Sequence, residues 1–360
     1  MTVADRQAAY SGTKEVPQNL AFDAVRLAEW LARHVRGFAG PLGVRQFKGG
    51  QSNPTYLLTT PSRRYVLRRK PPGKLLASAH AVDREFRALS ALHKQGFPVA
   101  EPLAYCDDDG VIGTAFYVMS HADGRILWVP TLPGSDPAER AAIYDAMNAT
   151  IARLHAFDPG ELGLSDFGRP EGYVARQVKR WSEQYRLSET QDIPEMNRVM
   201  AWLPDHVPPT SRPALVHGDY RLDNLILHPT EPQVIAVIDW ELATIGDPNA
   251  DFVYHCMTWI MPAEKGGGTG SLVNADVAAL GIPTLESYIG AYAERMNLGE
   301  IAHLETLFAY NFFRLAAILQ GIVGRVRDGT ASNENAGAMA NEVRPLAAAA
   351  WNWAQRAGAV

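Results

Sequence analysis

The stretch PALVHGDYRLDNLIL, residues 213–227, sets His217, Asp219, Arg221, Asp223 and Asn224 between two apolar runs. A second stretch, VIAVIDWELATIGDPNADF (residues 234–252), carries Asp239 at the end of another apolar run. Such runs read as buried strands, and charge beside them is expensive unless it has a partner or a task. Residues 225–239, LILHPTEPQVIAVID, read as two strands joined by a Pro-containing turn. A hairpin of that form returns Asp239 close to Asn224, with Asp219 on the loop just before it. The cluster therefore offers one carboxylate able to accept a proton and a carboxylate–amide pair able to hold a hard divalent cation. Mg²⁺ takes oxygen ligands and needs only one or two protein carboxylates when a polyphosphate supplies the rest.

A chain of 360 residues suits two domains or lobes rather than one small core. Its 47% apolar and 20% charged content is that of a folded protein. A net charge of -5 gives no electrostatic reason to expect nucleic acid as a partner. The N-terminal MTVADRQAAYSGTKEVPQ has no apolar segment of the secretory type. The most apolar late segment, LAAILQGIVG (315–324), is too short to span a bilayer. No membrane partner is expected. Cys106 and Cys256 suggest neither a disulfide framework nor a zinc site and read as small buried hydrophobes. The expectation is a protein of a reducing cytoplasm.

Residues 1–18 are polar and aperiodic and read as a flexible tail. From Asp23, a candidate N-cap, Leu27, Trp30, Leu31 and Val35 follow helical spacing. GVRQFKGG (43–50), TYLLTT (55–60) and RYVLRRK (64–70) read as strands between Gly, Pro and Ser. HAVDREFRALSALHKQG (80–96) reads as a helix, and PLAYC (102–106) and TAFYVMS (114–120) as strands bracketing the acidic turn DDDG. Beyond residue 140 the steps Tyr144, Met147, Ile151, Leu154 and Val174, Val178, Trp181, Tyr185 are helical, and residues 214–240 form an island of strands. The expected order is a tail at 1–18, a sheet-rich lobe at 19–119, a hinge and connector at 120–140, and a helical lobe at 141–360.

HGDYRLDN (217–224) resembles the catalytic loop of kinase-like phosphotransferases: a histidine, an aspartate base, then an asparagine after four intervening residues. IDWE (238–241) is similar to their metal-binding Asp motif, with Trp-Glu where protein kinases carry Phe-Gly. The His-Gly-Asp opening and Ile-Asp-Trp-Glu ending resemble the aminoglycoside and choline phosphotransferase superfamily more than the protein kinases. RRKPPGKLLASAHAVDREFRAL (68–89) and DWELATIGDPNADFVYHCMTW (239–259) look like one branch of it. That branch is the kinase-like domain found alone in bacteria or fused ahead of an acyl-CoA dehydrogenase domain. The resemblance runs from about residue 22 to residue 350. It implies an α+β, two-lobed protein-kinase-like fold with a sheet-rich N-lobe and a mainly helical C-lobe.

The resemblance also implies roles. Asp219 would be the general base, and Asn224 with Asp239 would coordinate Mg²⁺ bridging the phosphates of ATP. Arg221 falls where protein kinases place a Lys that neutralises the moving phosphoryl group. His217 would orient the loop, or is simply a satisfied buried histidine. Arg68 aligns with the ATP-phosphate lysine, a departure in residue type. Strand alternation puts Val66, Arg68 and Lys70 on one face, so Lys70 stays an alternative, and a merely solvated edge is the third reading. Glu85 is the candidate ion-pair partner rather than Asp83, because residues two apart lie on opposite sides of a helix. In FKGGQSNPTY (47–56), Gly49, Gly50, Ser52 and Asn53 occupy the place of a nucleotide-covering loop, or form an ordinary hairpin turn. Met119 marks the hinge whose backbone would read adenine. Asp247 and Asp251 read as a turn and N-cap, Glu241 as a supporter of the metal or of the loop, and Asp223 only as a loop hydrogen-bonder. KGGGTGS (265–271) lacks the Gly-Lys-Ser/Thr ending of a Walker loop.

The expected activity is an ATP- and Mg²⁺-dependent kinase for a hydroxyl of a small metabolite. The dehydrogenase-linked branch implies a hydroxyacyl substrate such as a 4-hydroxyacyl-CoA and a functional link to an acyl-CoA dehydrogenase. Arg314, Arg325 and Arg327 could meet an anionic acceptor, or be solvated helix charges. The alternatives are an aminoglycoside, choline or homoserine kinase, a metal-dependent phosphohydrolase, and a silent nucleotide-binding module.

Overall fold

The computed structural model describes residues 11–49, 53–72, 81–210, 212–262, 270–329 and 339–360. The chain divides into two compact units. The first comprises Met1–Trp128, Leu162–Leu164 and Arg221–Ala243; the second comprises Val129–Glu161, Ser165–Tyr220 and Thr244–Val360.

The first unit is built on a six-stranded antiparallel sheet of order β1-β2-β3-β4-β6-β5. Its strands are β1 (Thr13–Lys14), β2 (Gly43–Phe47), β3 (Thr55–Thr59), β4 (Arg64–Arg69), β5 (Pro102–Cys106) and β6 (Phe116–Ser120). Period-two alternation turns Tyr56, Leu58, Tyr65 and Leu67 to one face, where they are buried with Leu27, Trp30 and Leu31 of helix α1 (Ala24–His34). The Asp23 side chain caps that helix, accepting from the N–H groups of Val25 and Arg26. Arg69 shares this apolar face because its guanidinium lies over the Phe22 and Tyr56 rings and donates to the Ile112 carbonyl. Opposite alternation sends Val66, Arg68 and Tyr117 to the other face, toward helix α2 (Val82–Lys94).

Two local expectations change. Within the tail assigned to residues 1–18, Thr13 and Lys14 pair with Phe47 and Gln46 at the sheet edge, and Glu15 forms an ion pair with Arg45. A polar two-residue edge strand has too little pattern to be visible as a strand. The DDDG turn holds a short helix, α3 (Asp109–Ile112), capped by Asp108.

Residues 221–243, expected within the helical lobe, pack in the first unit. They form a hairpin of β8 (Leu225–Leu227) and β9 (Val234–Val237). The connector clamps it: Arg125 and Leu227 exchange backbone hydrogen bonds of 2.8 and 2.9 Å, and the Val237 N–H donates to the Pro98 carbonyl. A Cβ added at Gly124 would overlap the Leu227 carbonyl oxygen and lie 2.6 Å from Ile226 Cγ2. Gly124→Ala should therefore destabilise the protein by roughly 1–3 kcal/mol through overpacking, read as a lower urea midpoint with an unchanged m-value.

The second unit is helical: α4 (Pro137–Ala156), α5 (Tyr173–Ser188), α6 (Pro194–Trp202), α7 (Pro248–Cys256), α8 (Val277–Leu280), α9 (Leu285–Arg295), α10 (Leu304–Arg327) and α11 (Ala340–Arg356). Strands β7 (Ala214–Val216) and β10 (Thr244–Gly246) pair beside them. The LAAILQGIVG segment belongs to the 24-residue α10, which by length and composition alone could cross a membrane. Its most apolar window is 67% buried inside the protein, as in a core helix.

His255 of α7 lies in this core with its Nε2 2.8 Å from the Tyr288 hydroxyl. Burial lowers its pKa to about 4. The fold favours the neutral ring, so this stability is present above the unfolded value near 6.5 and is lost as pH falls toward 4. About 2 kcal/mol should disappear between pH 7 and pH 5. Urea unfolding of wild type and His255→Gln at both pH values checks this; parallel losses in the two proteins would refute it.

Candidate active site

Two clusters carry the titratable groups singled out above, one in each unit. In the first, β4 presents Arg68 and α2 presents Glu85, with Arg68 Nε 2.9 Å from Glu85 Oε2. Arg68 Nη2 reaches Asp239 Oδ1 at 2.6 Å and Glu241 Oε2 at 3.2 Å. One guanidinium thus joins three carboxylates, which its planar fork allows and an ammonium would do less well. Burial works against the charge on Arg68, but Asp239 and Glu85 outweigh it and raise its pKa. Burial also pushes the Glu85 carboxyl upward, opposed by Arg68, by the Tyr117 hydroxyl at 2.9 Å, and by the Asn53 amide at 2.7 Å.

This geometry distinguishes readings the sequence left open. Arg68 makes the ion pair with the helix, and Glu85 rather than Asp83 receives it. Lys70 lies just past the end of β4, its N–H bonded to the Ala115 carbonyl. Asn53, expected as a donor to phosphate, is instead fully buried and donates to Glu85. An amide beside a buried carboxylate is used there first, because the unpaired acceptor would cost more. Gly49 follows β2, whereas Gly50 and Ser52 lie outside the described residues, as does most of KGGGTGS. Met119 sits in β6 opposite Val66 and Pro102.

The hairpin pairs Leu225 with Val237, and the Ile238 N–H donates to the Asn224 carbonyl at 2.9 Å. Asn224 and Asp239 are therefore adjacent at the hairpin's open end, Asn224 closing a 3-10 turn (Leu222–Asn224). Asp239 holds a left-handed φ of 66°, a conformation costly for a residue other than glycine. Arg221, expected to meet the phosphoryl group, is 2.9 Å from Asp223, so Asp223 has an ion-pair role the sequence did not suggest. Among the described residues, no three or more His, Cys, Asp and Glu side chains group as a metal site. Asn224 and Asp239 nonetheless fit Mg²⁺ as hard oxygen donors that leave most of the shell to a polyphosphate.

In the second cluster the HGD loop is held from α7 and α10. Gly218 takes a φ of 83°, open to glycine. Asp251 accepts from the backbone N–H groups of His217 and Gly218, both at 2.8 Å, and stands 3.1 Å from His155 Nε2. Burial acts to raise its pKa, but His155, His217 and the loop N–H groups outweigh it and hold the carboxyl below the usual range. Asp251 is thus the loop's anchor, while Asp247 alone takes the expected capping position, accepting from Ala250 N–H. His217 is fully buried, and its Nδ1 accepts from the Asp219 N–H at 3.2 Å. That contact serves the loop's backbone.

Asp219 Oδ1 accepts from the Tyr254 hydroxyl at 2.6 Å, and Arg314 Nη2 donates to the Gly218 carbonyl at 2.8 Å. Arg314 thus bonds the loop's backbone, while Arg327 bonds Asp328 and the carbonyls of Glu189 and Leu187. Sequence reasoning missed Tyr254, since a tyrosine in FVYHC reads as core. For Arg314 it left an anionic acceptor and a solvated helix face both open; the side chain is buried and donates to the loop, and a lone charge in NFFRLAA does signal a buried polar contact.

Residues 43–289 match the phosphotransferase enzyme family. A mouse (Mus musculus) protein named acyl-CoA dehydrogenase family member 10 is 45% identical over 319 residues, covering 89% of this chain and 30% of the relative. The chain spans less than half the length of the curated relatives bearing that family name. A crystal structure from Ralstonia eutropha JMP134, provisionally assigned as an aminoglycoside phosphotransferase, is similar at a TM-score of 0.84 and 47% identity, covering 93% of this chain and 99% of that one. Spectinomycin phosphotransferase, in complex with ADP and spectinomycin, shares the fold at a TM-score of 0.59 and 13% identity, covering 92% and 99% of the two chains. These likenesses bear out the kinase-like architecture expected from the paired motifs.

Proposed function

Because the chain belongs to the phosphotransferase enzyme family, with a hydroxyl as acceptor, we propose that it transfers the γ-phosphoryl group of ATP to a hydroxyacyl thioester. The observation that carries the nucleotide half is Arg68, joined at once to Glu85 and Asp239. Phosphoryl transfer of the kinase type needs a basic side chain on the phosphates, held by a helix carboxylate, beside the metal-binding aspartate. ADP bound to spectinomycin phosphotransferase, which shares the fold, supports the same nucleotide class.

In this reading Asp219 accepts the acceptor's hydroxyl proton as that oxygen bonds to the γ-phosphorus. The bond from the γ-phosphorus to the bridging oxygen breaks, and ADP leaves with its electron pair. Arg68 steadies the phosphates, and Asn224 with Asp239 would hold Mg²⁺. When bound, Mg²⁺ supplies charge neutralisation at the phosphate oxygens. Arg221, released from Asp223, can meet the equatorial charge.

The acceptor class rests on the relatives named for acyl-CoA dehydrogenases. Phosphorylating a hydroxyl makes a poor leaving group into a good one, which suits a later elimination to an unsaturated acyl thioester. The test is ATP consumption with Mg²⁺ over hydroxyacyl-CoAs, free hydroxy acids, choline, homoserine and aminoglycosides. Turnover confined to a non-acyl acceptor would overturn the substrate proposal, and no ATP turnover with any acceptor would overturn the kinase reading.

A further inference from the structure

We propose that Tyr254 is a positioning residue for the Asp219 carboxylate, with Arg314 fixing both the tyrosine ring and the carbonyl that precedes the base. The proposal rests on the reading of Asp219 as the proton acceptor. The Tyr254 hydroxyl donates to Asp219 Oδ1 at 2.6 Å, the short range of a hydrogen bond to an ionised carboxylate. Tyr254 stands three residues after Asp251 on α7, so both side chains leave the same helix face. That one turn grips the loop twice, Asp251 through the N–H groups of His217 and Gly218 and Tyr254 through the base itself. Arg314 of α10 lies with its guanidinium 5.2 Å from the Tyr254 ring centroid while it donates to the Gly218 carbonyl.

The chemical consequence concerns rotation. With one oxygen engaged by a rigid phenol, the carboxylate plane is set and the second oxygen has a defined direction. Proton acceptance from a hydroxyl requires that direction to coincide with the near-attack geometry. A phenylalanine would fill the same space, so packing alone does not account for the hydroxyl at position 254.

The experiment is a double-mutant cycle on Asp219→Asn and Tyr254→Phe, with kcat, KM for ATP and the melting temperature measured for each protein. Tyr254→Phe should lower kcat about 10–100-fold with KM for ATP and melting temperature unchanged. In the Asp219→Asn background it should add almost nothing, because the tyrosine acts through the carboxylate. Unchanged kcat, losses that add across the cycle, or a kcat loss that tracks a lower melting temperature each overturn the proposal. Wild-type protein that turns over no ATP overturns the functional reading itself and Tyr254's role with it.

Discussion

Asp219→Asn is expected to lower kcat by about 10²–10⁴-fold, the usual contribution of a positioned general base. The substitution keeps the side chain's shape, and its amide oxygen can still accept from Tyr254, 2.6 Å away in the parent protein. Asp251 and Arg314 bind the loop's backbone at His217 and Gly218, so its path should survive the change. Affinity for ATP should be kept, because Arg68, Glu85 and Asp239 are untouched. The expected signature is therefore a fall in kcat with little change in KM for ATP, the pattern of an interaction made in the transition state. Steady-state kinetics over both substrates checks it, with nucleotide binding measured separately by titration. An unchanged kcat would remove Asp219 from the proton transfer.

Legibility in the sequence followed the kind of interaction each residue makes. The strands and α1 could be read because alternation and helical spacing reflect burial on one face, and burial dominates folding. The adjacency of Asn224 and Asp239 was also legible, since two short apolar runs and a turn leave a hairpin little choice of register. Partners at long range were not. Nothing local separates an aspartate that caps a helix from one that holds a loop 33 and 34 residues earlier, as Asp251 does. Asn53 looked like a donor for a ligand because residues 50–53 read as a loop, yet its partner Glu85 is 32 residues away on a helix. That residues 221–243 pack in the first unit was illegible for the same reason. Backbone pairing of Leu227 with Arg125 ties that hairpin to the first unit, and main-chain hydrogen bonds leave no mark on residue type.

Replacing Arg68 with Met should cost the folded state about 3–5 kcal/mol, the penalty for removing one partner of a buried ion pair. Glu85 is only 1% exposed, so without the guanidinium its carboxylate stays in a site where Asn53 and Tyr117 supply hydrogen bonds but no countercharge. Asp239 and Glu241 are less buried and can turn to water, so most of the loss belongs to Glu85. Arg68→Lys should cost less, because an ammonium can keep Glu85 while giving up part of the fork to Asp239 and Glu241. Adding Glu85→Gln to Arg68→Met removes the stranded charge and should restore a large part of the lost stability, since the Tyr117 hydroxyl can turn to accept from the new amide. Denaturant unfolding of the three variants measures these steps. Phosphoryl transfer should not return in the double variant, because it still lacks a cation for the phosphates. Recovery of stability without recovery of turnover separates the two functions of Arg68. Recovery of both would mean that Arg68 serves the fold alone and that the phosphates are met elsewhere, with Lys70 the nearest candidate on the same run.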